Sequence, residues 1–115
     1  MRENGSIVLF GGLAKERPYP GSTTVTSVNG GVSTMINALA WQLAPIRVNA
    51  IHTEKIGDSP FWAGKPPEVL EAVVKRTPLG RTITTEDVVH ATIFLLENKS
   101  LTAFNLDVDG GYHIT

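Results

Sequence analysis

Apolar residues change their period several times along this chain, and each change marks an element. Ser6 to Phe10 is a nearly unbroken apolar run that ends in Gly11-Gly12. A short run without polar alternation predicts a strand covered on both faces, as in a parallel sheet. Leu13 to Gly21 carries Pro18, Pro20 and Gly21 and reads as a loop. From Thr24 to Ala44 the period changes. Val25, Val28, Val32, Met35, Ile36, Leu39 and Leu43 recur at spacings of three and four, which predicts a long helix with that stripe turned inward. Pro45 stops it, because proline disfavours helical geometry in the residue before it. Ile46 to His52 is a second strand and Thr53 to Pro60 a loop. Pro67 to Arg76 is a helix with Val69, Leu70, Val73 and Val74 on its inner side. Thr84-Thr-Glu-Asp87 reads as a helix cap, a hydroxyl over the first turn with acids near the positive end of the dipole. The helix behind it runs to about Glu97 and offers Val88, Val89, Ala91, Ile93, Leu95 and Leu96 for burial. Phe104 to Val108 is a third strand, closed by Gly110-Gly111.

The order β-α-β-α-α-β with apolar strands predicts an α/β fold: a three-stranded parallel sheet with right-handed crossovers, flanked by helices. A length of 115 residues suits one domain over 1–115. A formal charge of −1 gives no basic surface for nucleic acid, and no apolar run is long enough to span a bilayer. The first residues, Met1-Arg-Glu-Asn-Gly5, have no signal-peptide layout. With no cysteine there is no disulfide or thiolate chemistry, and the expected setting is cytoplasmic.

Metal and acid–base chemistry find little footing in the pattern. His52, His90 and His113 lack ligand spacing, so no metal site is expected. Asp107 and Asp109 alternate along a strand end and share one face. A catalytic carboxylate pair would also need a cleft and split pKa values. Trp41, among Ala38, Ala40 and Ala44, reads as a packing residue, and Phe61 and Trp62 as aromatics that fasten a loop to the body.

Several runs carry a more specific signal when taken in order: Gly5-Ser-Ile-Val-Leu-Phe-Gly-Gly12, Ala38-Leu-Ala-Trp-Gln-Leu-Ala-Pro45, Ile46-Arg-Val-Asn-Ala-Ile51, Pro78-Leu-Gly-Arg81 and Asp107-Val-Asp-Gly-Gly111. From about Gly5 to Tyr112 the chain resembles the C-terminal half of a short-chain dehydrogenase/reductase. The resemblance implies the last three strands of a Rossmann-like sheet, hence a Rossmann-like partial fold. The family's glycine-rich turn for the cofactor pyrophosphate has no match, and Gly11-Gly12 and Gly30-Gly31 do not form it.

The family's catalytic serine, tyrosine and lysine fall, by register from both ends, on Gly12, Val25 and Asn29. Glycine and valine have no side-chain proton to give, and Asn29 can hydrogen-bond but carries no charge. Tyr19 and Ser27 are the neighbouring hydroxyls that could stand in. The resemblance places cofactor contacts at Gly11, Asn29, Thr53 and Ile56, for NAD or NADP, or for no cofactor if the half-site is not assembled. Thr53-Glu54 stands where the family has Pro-Gly, and Glu54 is unfavourable beside a phosphate unless Lys55 offsets it. Asp58-Ser-Pro-Phe-Trp62 resembles the start of the family's substrate lid.

Three functional readings follow. The first is a family half-fold without catalysis of its own, as a truncated or pseudoenzyme form. The second is an atypical NAD(P)-dependent oxidoreductase with a substitute proton donor. The third is an oligomerising partner-binding module, since the edge of the Ser6–Phe10 strand and one helix face lie bare. The resemblance implies a homodimer or higher oligomer through the 24–44 helix and the 85–109 helix–strand region.

Overall fold

The computed structural model describes residues 2–115. Its centre is a parallel sheet of three strands, β1 (Ser6–Gly12), β2 (Arg47–Thr53) and β3 (Asn105–Val108), in the order β1-β2-β3. Ser6 lies opposite Arg47 and Gly12 opposite Thr53, while Ala50 lies opposite Asn105 and Thr53 opposite Val108. All three strands therefore end at one edge of the molecule, where open α/β sheets receive their ligands.

Helix α1 (Thr23–Gln42) packs on one face of the sheet and α3 (Thr85–Glu97) against side chains of opposite parity. Alternation along β2 divides the core in two, because successive strand side chains point to opposite faces. Val48 and Ala50 meet Ile36 and Ala40 of α1, while Ile51 meets Ala91 and Leu95 of α3. The helix α2 (Glu68–Arg76) is short and amphipathic, with Val73 buried. Two short 3₁₀ turns, Pro60–Trp62 and Tyr112–Ile114, complete the elements.

The α/β class and the element order agree with the sequence pattern, and the element bounds shift by one or two residues. Burial differs more. Only β2 is buried along most of its length; β1 is an edge strand, half-buried and with Phe10 exposed. The apolar run Ser6–Phe10 thus has the composition of a covered strand but lacks a neighbour on one side within this chain. The α1 stripe also divides. Ile36 is buried and Val32 and Leu39 pack on the core, but Val25, Val28, Met35 and Leu43 are exposed. On α3, Ala91 and Leu95 are buried while Val89, Ile93 and Leu96 are exposed. Trp41 is 87% exposed, so within this chain it packs on nothing of substance.

Three polar devices fix the ends of the elements. Arg47 reaches the last turn of α3, where Nη1 donates to the carbonyls of Leu95 and Asn98 and Nη2 to that of Leu96. These are carbonyls that a helix C-terminus leaves without partners. Fully buried Asn49 donates to the Leu101 carbonyl and accepts from the Phe104 backbone, holding the turn that leads into β3. Thr84 and Asp87 form a reciprocal capping box at the start of α3, as the sequence suggested. Among the described residues, no helix is long and apolar enough to cross a membrane.

Candidate active-site cleft

At the C-terminal ends of β1 and β2 lies a cleft of about 300 Å³, and Gly12, Val25, Asn29 and Thr53 all line it. Parallel pairing sets Gly12 beside Thr53. The first two turns of α1 lay Val25 and Asn29 over the same space, four residues apart on one helix face. The three positions to which the resemblance assigns catalysis thus converge, and none carries a group that could deliver a proton.

Asn29 is 9% exposed and makes no side-chain hydrogen bond among the described residues. Its amide faces Gly12: a Cβ built on that glycine would stand 2.8 Å from Asn29 Oδ1 and 3.3 Å from Nδ2. The amide occupies the volume that a serine at position 12 would need.

Tyr19, on the loop before α1, also lines the cleft and is 56% exposed. Its backbone N–H donates to Ser22 Oγ, which tethers the loop to the start of α1. Ser27 is not a cleft residue; its hydroxyl donates to the Thr23 carbonyl one turn earlier. Ile56 lies outside the cleft as well, in a parallel bridge with Ile83 and beside an apolar hollow with Phe10, Val88 and Ile93.

Glu54 and Lys55, which the resemblance set beside a cofactor, enter the cleft, together with Arg17 and a second tyrosine, Tyr112, which no motif assigned. Glu54 is held by its neighbour: Lys55 donates to Glu54 Oε1 from its backbone N–H at 2.8 Å, and Lys55 Nζ lies 3.4 Å from the same oxygen. The offset that a phosphate-bearing ligand would need is therefore in place. Arg17 donates to the backbone carbonyls of Glu16 and His113, so the final turn of the chain closes one wall, with Tyr112 on that wall. Nearby Glu16 has its carboxyl held below the usual carboxylate range, first by its hydrogen bond to Lys15. Arg17 and Tyr112 carry no motif, and only the tertiary fold brings the chain's last residues onto the 13–19 loop.

Gly11 also lines the cleft and is a close-packing glycine, as its place in the Gly11-Gly12 pair suggested, with a partner from a distant segment. Beneath it lies fully buried His52, whose Nδ1 would be 2.5 Å from a Cβ at Gly11. The imidazole Nε2 is 2.8 Å from Asn105 Oδ1 and 3.3 Å from Ser33 Oγ. The histidine therefore ties all three strands to α1, and any larger residue at position 11 would displace it.

Asp107, Asp109 and His113 bring one ligand atom each within 4.8 Å of one another, a grouping that histidine spacing did not show. Asp109 is already engaged, accepting from the backbone N–H groups of Gly111 and His113 and lying 2.8 Å from His113 Nδ1. That set of bonds builds the Gly110-Gly111 corner, so the group reads as structural. A larger hollow of about 830 Å³ lies between α3 and β3, lined by Leu79, His90, Phe94 and Leu106. It holds none of the positions the resemblance assigns to catalysis, and the smaller cleft is the better candidate on chemistry.

Asn29 and Thr53 give the cleft an uncharged polar lining, which is compatible with the neutral end of a nicotinamide cofactor. A glycine-rich turn for the phosphates is not in the sequence.

A family model described as Enoyl-(Acyl carrier protein) reductase matches residues 1–113. L-xylulose reductase of Mus musculus is 33% identical over 96% of this chain and 48% of its own length. The 3-oxoacyl-[acyl-carrier-protein] reductase of Homo sapiens is 32% identical over 98% of this chain and 47% of its own. A solved small-chain dehydrogenase in complex with NADPH matches with a TM-score of 0.91 at 25% identity, covering 100% of this chain and 54% of that one. The chain spans about half the length of the curated relatives it matches. With the fold, the ordered motifs and the family model in agreement, this chain belongs to the short-chain dehydrogenase/reductase family, in a form without the family's serine, tyrosine and lysine.

Proposed function

We propose that this chain carries the substrate side of a short-chain dehydrogenase/reductase fold and does not catalyse carbonyl reduction by itself. The observation that carries this reading is Val25, which stands in the cleft where the family's proton donor would be. Carbonyl reduction needs a hydride on carbon and a proton on oxygen. The nicotinamide, when bound, supplies the hydride. A general acid within hydrogen-bond reach must supply the proton, and Gly12 and Val25 have none to give. The Asn29 amide can donate a hydrogen bond but does not release its proton near neutral pH. Asn29 and Thr53 would hold an uncharged part of NAD or NADP, and the Lys55–Glu54 pair keeps the floor close to neutral. The cysteine-free composition suits a cytoplasmic setting.

The test is an assay of the purified chain with NADPH and NADH across a panel of ketones and sugars. No oxidation of the cofactor above a protein-free blank is expected. Turnover above the blank would overturn the reading.

A second reading rests on Tyr19, whose exposed side chain lines the same cleft. Completed by the first half of a relative, the chain would use Tyr19 as the acid. Tyr19→Phe would then abolish reduction, while Ser27→Ala, whose hydroxyl is spent on Thr23, would leave it unchanged.

A further inference from the structure

The cleft holds a cation without a counter-ion. Its charged lining is Arg17, Glu54 and Lys55, a net charge of +1. Glu54 and Lys55 face each other, with Nζ 3.4 Å from Oε1. Arg17 forms no ion pair among the described residues. Its partners are the backbone carbonyls of Glu16 and His113, which are neutral and leave the guanidinium its full charge. Its Nε is buried and has no hydrogen-bond partner. Glu16, the adjacent carboxylate, turns to Lys15 Nζ at 2.9 Å and does not line the cleft. A half-buried charge with no opposite charge is costly, and an anion would relieve it. We infer that Arg17 anchors a subsite for a carboxylate ligand in this cleft.

Three observations decide the ligand class. One unbalanced cation suits a monoanion, whereas a phosphate dianion would meet the Glu54 carboxylate in the same cleft. The planar guanidinium matches a planar carboxylate, and the His113 carbonyl holds it in place before a ligand arrives. Leu13 and Val25 line the cleft beside it and favour an apolar body behind the charge, while Tyr19 and Tyr112 add phenols that can donate to the carboxylate. The ligand is therefore a small organic monocarboxylate with an apolar ring or chain. This inference rests on the reading of the cleft as a substrate side and makes that substrate an acid.

The experiment uses the full chain labelled with ¹⁵N, titrated separately with cyclohexanecarboxylate, with the neutral cyclohexanecarboxamide and with inorganic phosphate. Binding is followed at the Arg17 Nε–H and at the backbone amide of Gly12. The carboxylate is expected to shift both resonances saturably, and the amide and phosphate to shift neither. Arg17→Gln removes the charge and should weaken carboxylate binding about tenfold or more, as for a lost charge-assisted hydrogen bond. Glu54→Gln keeps an oxygen for the Lys55 backbone N–H but removes the opposing charge, and should tighten binding about threefold or more. Lys75→Gln, an exposed cation on α2 outside the cleft, should change nothing. If Arg17→Gln fails to fold, Glu54→Gln decides alone, because it leaves Arg17 and its carbonyl partners in place. No saturable shift with the carboxylate, an equal response to the amide, phosphate binding as tight as the carboxylate, or unchanged affinity in either cleft variant would overturn the inference. Because the readout is binding, reductase turnover by the chain would refute the inactive half-fold and leave this subsite standing.

Discussion

Arg47 links a single side chain to the integrity of a whole layer. Its guanidinium serves three carbonyls at the end of α3 from a strand 48 or more residues earlier. Arg47→Met keeps the aliphatic stem and removes every donor. We expect it to cost about 1.5–3 kcal/mol, the range for hydrogen bonds to a charged group. Urea denaturation would measure the loss, and a change below about 0.5 kcal/mol would show that water replaces the guanidinium at that helix end. A second residue-scale expectation concerns Gly12. Gly12→Ser alone should destabilise the chain, because the new Cβ meets the Asn29 amide at 2.8 Å. Combined with Asn29→Ala, the same change should cost less than the sum of the two, with a coupling of about 0.5–3 kcal/mol. Additive costs would mean that the amide swings aside freely. The sequence named Gly12 and Asn29 through register within one motif frame, yet it could not show that one fills the other's space. The partners of Arg47, Asn49 and His52 were invisible for the same reason: they lie on distant segments, and no local spacing encodes a contact made by the sheet.

At the scale of elements, local signals were legible and burial was not. The capping box of α3 needs only residues three apart, so Thr84-Thr-Glu-Asp87 announced it. Thr84→Ala should cost about 1 kcal/mol, as for other lost caps. Asp87 gives this cap a pH dependence. Its carboxyl is held below the usual range, first by the Thr84 backbone N–H and then by Arg81 at 2.9 Å. A carboxylate depressed in the folded state adds stability that is full above its unfolded pKa of about 3.9 and is lost as pH falls through the folded value. Asp87→Asn should therefore flatten the acid limb of a stability–pH curve below pH ~4 and leave the neutral region nearly level. An unchanged acid limb would mean that the carboxylate is equally well served in the unfolded chain. The α1 stripe shows the opposite case. Period alone gives an apolar arc, but which part is covered depends on the width of the sheet beneath it. With three strands, Ile36 and Ala40 are buried while Val28 and Met35 are not.

At the scale of the whole molecule, those uncovered residues form a pattern. Val28 is 58% exposed, and Met35 and Trp41 on the same helix are exposed as well. On the other side of the sheet, Phe10, Val89 and Ile93 border an apolar hollow beside the edge strand β1. An edge strand flanked by bare apolar side chains tends to acquire a partner. We therefore expect the chain to self-associate, with α1 as the principal contact and the α3–β3 region as a second. Sedimentation at micromolar concentration should show a dimer or larger species. Met35→Glu places a charge within the α1 contact and should weaken association by about tenfold or more, since burying an unpaired carboxylate costs more than the 1.4 kcal/mol which that factor represents. A charge on the solvated side of α2, such as Glu71→Lys, should have no such effect. If the wild-type chain sediments as a monomer, or Met35→Glu leaves the distribution unchanged, the exposed arc of α1 is not an interface between copies. The bare apolar surface would then have to be explained by a different partner: a second α/β half that covers β1 and α1 together.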